Sequence, residues 1–246
     1  MNAILNVAGL EKSYGGIKAI DGIDISVERG EIFGLLGHNG AGKTTTIECI
    51  LGTKKADAGS VRILGLDPIL NRRQLFARVT VQFQDSAYQD KLKVNEACEV
   101  AAALYPHRGD WTLLLDSFGL KDKGKTLISE LSGGERQKLS VLLALIPEPE
   151  ILFLDELTTG LDPKARRDIW DCLDALRKSG VTIILTSHYM DEVERLCDRI
   201  LILKKGKVVA RGRPAELVAE QGLKNLEEVF LLYLADDEAE GGEVAV

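Results

Sequence analysis

The eight residues Gly37-His38-Asn39-Gly40-Ala41-Gly42-Lys43-Thr44 carry glycine, lysine and hydroxyl groups at a spacing suited to holding phosphate. The run fits the pattern GxxxxGK(S/T), whose glycines let backbone N–H groups converge on phosphate oxygens with no Cβ in the way. A helix beginning at Lys43 would turn unpaired N–H groups and a positive dipole end toward the same anion. Lys43 can then neutralise β- and γ-phosphates, and the Thr44 hydroxyl can ligate Mg²⁺, with Thr45 next in the turn. Leu152-Phe153-Leu154-Asp155-Glu156 is a second constellation, an apolar strand delivering two carboxylates at its end. Asp155 suits Mg²⁺, held directly or through water, and Glu156 can act as general base on an attacking water. A third run, Leu131-Ser132-Gly133-Gly134-Glu135-Arg136-Gln137, again opens a helix with small residues and exposes backbone donors and a hydroxyl. Singly, these are also a Gly-rich turn, a solvated strand end and a Ser N-cap. Together they favour nucleotide chemistry.

Elements that position these groups are visible around them. Ile4–Val7 and Ile23–Val27 alternate apolar and polar residues, as half-buried antiparallel strands do, with turn signals at Gly15-Gly16 and Asp21-Gly22. Ile32 to Leu36 is continuously apolar, which predicts a strand buried on both faces, and Lys43 to Leu51 predicts a helix closed by Gly52. Ile151–Leu154 and Val181–Leu185 read as further buried strands, with a helix over Pro163–Lys178 between them. Strand-helix-strand alternation implies a parallel sheet. Ile200–Leu203 and Val208–Ala210 form a hairpin, and residues from about Asn95 to Leu145 have helical periodicity.

Composition narrows the partners. The net charge is −7, and the five carboxylates of residues 235–246 leave only −2 on the rest. That tail is expected to stay solvated, and an acidic chain is a poor candidate for coating nucleic acid. Cys49, Cys98, Cys172 and Cys197 have no CxxC spacing and read as reduced thiols, Cys49 and Cys172 as small hydrophobes. The longest apolar run, Val141 to Pro147, falls short of the roughly 20 residues of a spanning helix. The expectation is a soluble, cytoplasmic chain whose membrane part, if any, is a different chain. No internal repeat is visible, so one ATPase unit is expected.

Leu131 to Gln137 closely resembles the signature sequence of ABC ATPases, LSGGQ or LSGGE, and the other landmarks follow in the family's order. Tyr14 looks like the aromatic that stacks on adenine. Gln84, ending Val79 to Gln84, matches the glutamine that senses Mg²⁺ and the attacking water, with Gln82 a competing candidate on the same strand face. Gly160-Leu161-Asp162-Pro163 resembles the loop that crosses the dimer interface, and His188 after Thr186-Ser187 matches the switch histidine at the γ-phosphate. Two departures stand out. Leu157 replaces the usual Pro after the catalytic Glu, and Glu135 replaces the commoner Gln. Neither removes a phosphate or metal ligand.

The resemblance implies an α/β fold: a P-loop NTPase (RecA-like) core with a mainly parallel sheet, an N-terminal antiparallel β subdomain and an inserted helical subdomain at about 86–145. Residues 1–234 would form a single ATPase domain and 235–246 an acidic tail. It implies an ATP- and Mg²⁺-dependent ATPase working as a head-to-tail dimer, each site using Lys43, Thr44, Asp155, Glu156 and His188 of one chain. Residues 37–45 hold the phosphates, while Ser132, Gly133, Gly134 and Asp162 meet the nucleotide of the opposite subunit. A separate permease would attach the pair to the membrane. His38, Glu156-Leu157 and Leu226 to Leu231 look like the drug- and antibiotic-exporter type. An importer ATPase and a soluble ATPase of iron–sulfur assembly stay open as alternatives. A GTPase is disfavoured by the lack of an NKxD motif.

Overall fold

The computed structural model describes residues 3–82, 88–89, 91–106 and 108–235. Two long strands, β1 (Ala3–Tyr14) and β2 (Ile17–Glu28), precede β3 (Ile32–Leu36), α1 (Lys43–Ile50) and β4 (Ala58–Ile63). One-turn α2 (Arg72–Leu75) and β5 (Val79–Gln82) lead to α3 (Val94–Ala103), α4 (Trp111–Ser117) and α5 (Gly133–Leu145). Then follow β6 (Ile151–Asp155), α6 (Pro163–Lys178), β7 (Thr182–Ser187) and α7 (Met190–Leu196). The hairpin β8 (Arg199–Lys204) and β9 (Lys207–Gly212) precedes α8 (Pro214–Gln221) and α9 (Leu226–Ala235). Among the described residues the chain divides into two compact units, one within 28–30 and 70–185, the other of 3–27, 31–69 and 186–235.

In the second of these units the strands run β2-β1-β4, antiparallel, with a bulge in β1 between Ala8 and Glu11. Ile23, Ile25 and Val27 are buried while Asp24, Ser26 and Glu28 face water, the period-two pattern of a half-buried sheet. β1 is longer than Ile4–Val7 because the bulge lets it run on past Leu10, where Asp57 accepts from the Ser13 N–H (2.7 Å) and the Lys12 ammonium (2.8 Å). All five residues of β3 are buried, and it pairs in parallel with β8, Phe33 opposite Arg199 and Leu36 opposite Ile202. β9 returns antiparallel to β8. α7, α8 and α9 pack on one another.

In the other unit β5 and β6 pair in parallel, Val79 opposite Ile151 and Gln82 opposite Leu154. Glu150, just before β6, receives Arg78 (2.5 Å) and Arg29 (2.7 Å). Arg78 beside it, more than Arg29, holds its carboxyl below the usual range. α6 spans the residues its caps dictate: Asp162 accepts the Lys164 and Ala165 N–H groups (2.9 and 3.0 Å), and Pro163 opens the first turn. α5 packs against α3, α4, α6 and β5.

Cys49, Cys98 and Cys197 are buried and Cys172 half-buried, all free. Burial pushes the Cys98 thiol up to about 12. At pH 8 it should therefore resist maleimide in the native protein and react fully in denaturant, as mass spectrometry of the labelled peptides would show. Among the described residues no helix is long and apolar enough to cross a membrane.

Candidate functional site

β3 delivers the chain into the turn Gly37 to Gly42 with no slack. A Cβ at Gly37 would lie 2.7 Å from the Leu203 carbonyl oxygen and 2.7 Å from the Ala41 Cβ. Gly42 caps α1 in the left-handed region, φ 105, and a Cβ there would run into the Ala19 carbonyl. No side chain caps α1, so its start keeps backbone donors and a positive dipole end for an anion. The turn is closed by Ala41 N–H to the His38 carbonyl (3.1 Å) and by Thr46, whose N–H and hydroxyl both donate to the Gly42 carbonyl (2.8 Å each).

Lys43 is 5% exposed, and its ammonium donates to the carbonyls of Gly37 (2.8 Å) and His38 (3.3 Å). The cation is thus held against the same loop whose glycines admit an anion. Thr44 is exposed, Thr45 half-buried and Thr46 buried along the first turn. His38, Asn39 and Gly40 lie on the exposed rim, with His38 Nδ1 donating to the Asn39 carbonyl (2.5 Å).

Tyr14 ends β1 with its side chain 44% exposed. The ammonium groups of Lys12 and Lys54 lie 5.5 and 5.7 Å from its ring centroid, held by Asp57 (2.8 Å) and Glu48 (2.7 Å). It is an open aromatic surface with fixed cations beside it. His188 follows β7 and is exposed, its ring 4.3 Å from that of Tyr189. Gln84 lies outside the described residues, whereas Gln82 is buried in β5.

The unit of residues 70–185 holds the carboxylates and the Ser132 turn. β6 is buried throughout and ends on Asp155, 5% exposed. Glu156, half-buried, has φ 50, a left-handed backbone that non-glycine residues seldom adopt. The chain then turns tightly, Thr159 N–H donating to the Glu156 carbonyl (3.2 Å), and Gln137 of α5 donates its side-chain amide to the Leu157 carbonyl. Such strain persists only where neighbours over-determine the backbone. Here Gln137 supplies one such neighbour.

Ser132 caps α5 in a reciprocal box: its Oγ accepts the Glu135 N–H (3.2 Å), and the Glu135 carboxylate accepts the Ser132 N–H (2.9 Å). Lys123 (2.9 Å) and that Ser132 N–H hold the Glu135 carboxyl below its usual range. A carboxylate at 135 thus completes the cap that a glutamine would otherwise supply. Ser132 and Gly133 stay exposed, and a Cβ at Gly134 would meet the Ala165 Cβ at 2.8 Å, so α5 and α6 approach closely there. Lys138 to Asp168 (2.9 Å) closes the same seam. Asp162, exposed, has its carboxylate turned to the cap of α6.

Two contributors escaped the sequence. Gln137 carries no motif of its own beyond the Ser132 run, and Gly206 in the β8–β9 turn donates its N–H to the Ala41 carbonyl (3.0 Å). Only tertiary proximity reveals either.

A family model described as ABC transporter matches residues 20–159. Daunorubicin resistance ATP-binding protein DrrA3 of Streptomyces coeruleorubidus is 39% identical, over 89% of this chain and 71% of that protein. Nod factor export ATP-binding protein I of Ralstonia nicotianae is 40% identical, over 89% and 70%. Among solved structures, an ATP binding subunit of an ABC transporter superposes with a TM-score of 0.84 at 27% identity, covering 94% of this chain and 99% of that one. CbiO1 of Clostridium perfringens, part of the ABC transporter complex cbiONQ, gives 0.79 at 28% identity, covering 90% and 92%.

Proposed function

We propose that this chain, which belongs to the ABC transporter family of ATP-binding proteins, hydrolyses ATP to drive export through a separate membrane permease. The observation that carries the reading is the pairing, in one chain, of a phosphate loop closed by a buried lysine with a second, Ser132-capped helix start that faces solvent. One helix start serves this chain's nucleotide. The other is spare, and it fits the nucleotide of a second copy. The resistance and export proteins among its relatives favour export over import or iron–sulfur assembly.

In this reading, Lys43 and the loop N–H groups of residues 37–45 bind the phosphates, and Tyr14 stacks on the base. Glu156 takes a proton from the attacking water, and His188 contacts the γ-phosphate. The donors of Thr44, Asp155 and Gln84 are hard oxygens, which fit Mg²⁺ better than a soft metal, and the ion would neutralise charge building on the phosphates. Ser132, Gly133, Gly134 and Asp162 serve the site of the opposite subunit. Residues 1–234 act as one ATPase domain, and the helices within 86–145 meet the permease, which holds the protein at the membrane.

Affinity purification of the tagged chain from detergent-solubilised membranes tests this. A polytopic membrane protein should come with it, and ATPase activity should follow the complex. Recovery of a soluble scaffold in its place would count against the transporter reading.

A further inference from the structure

We propose that Gly206, in the turn between β8 and β9, is a positioning residue of the phosphate loop and helps set its affinity for ATP. Its N–H donates to the Ala41 carbonyl (3.0 Å), and its own carbonyl accepts the Asp21 N–H (2.8 Å). One residue, through the two peptide groups that flank it, therefore ties the phosphate loop to β2. Ala41 is fully buried and Gly206 is buried too, so water cannot readily replace the bond between them, while Asp21 is half-buried. An ion pair reinforces the junction from outside: Asp21 receives Lys18 (2.5 Å) and lies 3.5 Å from Lys207 of the turn.

The same junction is sterically full. Gly206 has φ 78, and a Cβ there would lie 2.8 Å from the Ala19 carbonyl oxygen and 3.1 Å from the Ile20 nitrogen. That carbonyl is also the atom a Cβ at Gly42 would strike. Ala19 is thus wedged between the turn and the cap of α1. A side chain at 206 must push Ala19 toward Gly42 or lift the turn off Ala41. Either movement displaces the backbone donors that have to converge on phosphate, and a misplacement of about 1 Å is enough to be costly.

Gly65 provides a matched control, with φ 76 and nothing within 4 Å of an added Cβ. Alanine at either glycine imposes the same left-handed backbone strain, but only Gly206→Ala crowds the loop. Titration with a fluorescent ATP analogue should show Gly206→Ala about tenfold weaker than the parent. Gly65→Ala should bind as the parent does, and its drop in melting temperature should be the smaller of the two, because it adds backbone strain without a clash. In the unmodified protein, ATP should slow hydrogen exchange at the Gly206 and Asp21 amides together with the loop. This second measurement decides the matter if Gly206→Ala does not fold. Parent-like affinity in Gly206→Ala, an equal loss in Gly65→Ala, or no protection at the two amides would overturn the proposal. It rests on residues 37–45 being the ATP loop. A parent protein that binds no ATP refutes that reading, whereas the ratio between the two variants addresses the brace alone.

Discussion

Glu156→Gln is expected to cut steady-state ATP turnover by about 10²–10⁴-fold while leaving ATP binding intact. The substitution keeps shape and removes only the proton acceptor. The backbone at 156 is fixed by the Thr159 bond to its carbonyl and by Gln137 on the next one, so the turn should keep its form. ATP then binds without being cleaved, and on the proposed sharing of nucleotide between two chains a closed head-to-tail dimer should accumulate. Phosphate release measures the first effect, and size-exclusion chromatography with and without ATP measures the second. Turnover at the parent rate would remove Glu156 from the role of base.

Lys43→Ala is expected to weaken ATP binding by roughly 10–150-fold, the equivalent of a lost charge-assisted contact of about 1.5–3 kcal/mol. The loss has two sources. The cation that neutralises phosphate is gone, and so are its bonds to the Gly37 and His38 carbonyls, which hold the loop closed. Calorimetric titration with ATP checks the magnitude. Mixing then tests the sandwich. Proteins carrying Lys43→Ala or Ser132→Arg should each be inactive alone, yet regain turnover together, because one interface of the mixed dimer collects both intact halves. Absence of recovery would speak against nucleotide shared between chains.

What could be read beforehand follows from how local each cause is. The limits of α6 were legible because Asp162, Pro163 and Ser179-Gly180 punctuate it independently of context. β3, the glycine turn and α1 were legible because a continuous apolar run can only be buried, and glycine at 42 answers a demand of the backbone itself. β4 was not. It pairs with β1 along its length, yet five of its six residues are exposed or half-buried, so no apolar alternation marks it. The left-handed turn at Glu156 left no trace either, because glutamate gives no hint of positive φ. The union of Gly206, Ala41 and Asp21 joins segments far apart in sequence and is written only in the fold. Gln84, His107 and the acidic residues from Asp236 on lie outside the described residues.

The backbone at Glu156 also bears on how such a protein can change over time. A glutamate held at φ 50 costs on the order of 1 kcal/mol that a glycine would not. Drift under pressure for robustness alone would therefore tend to erase the very carboxylate assigned to hydrolysis. On the role proposed for it, this glutamate trades a more comfortable chain for turnover.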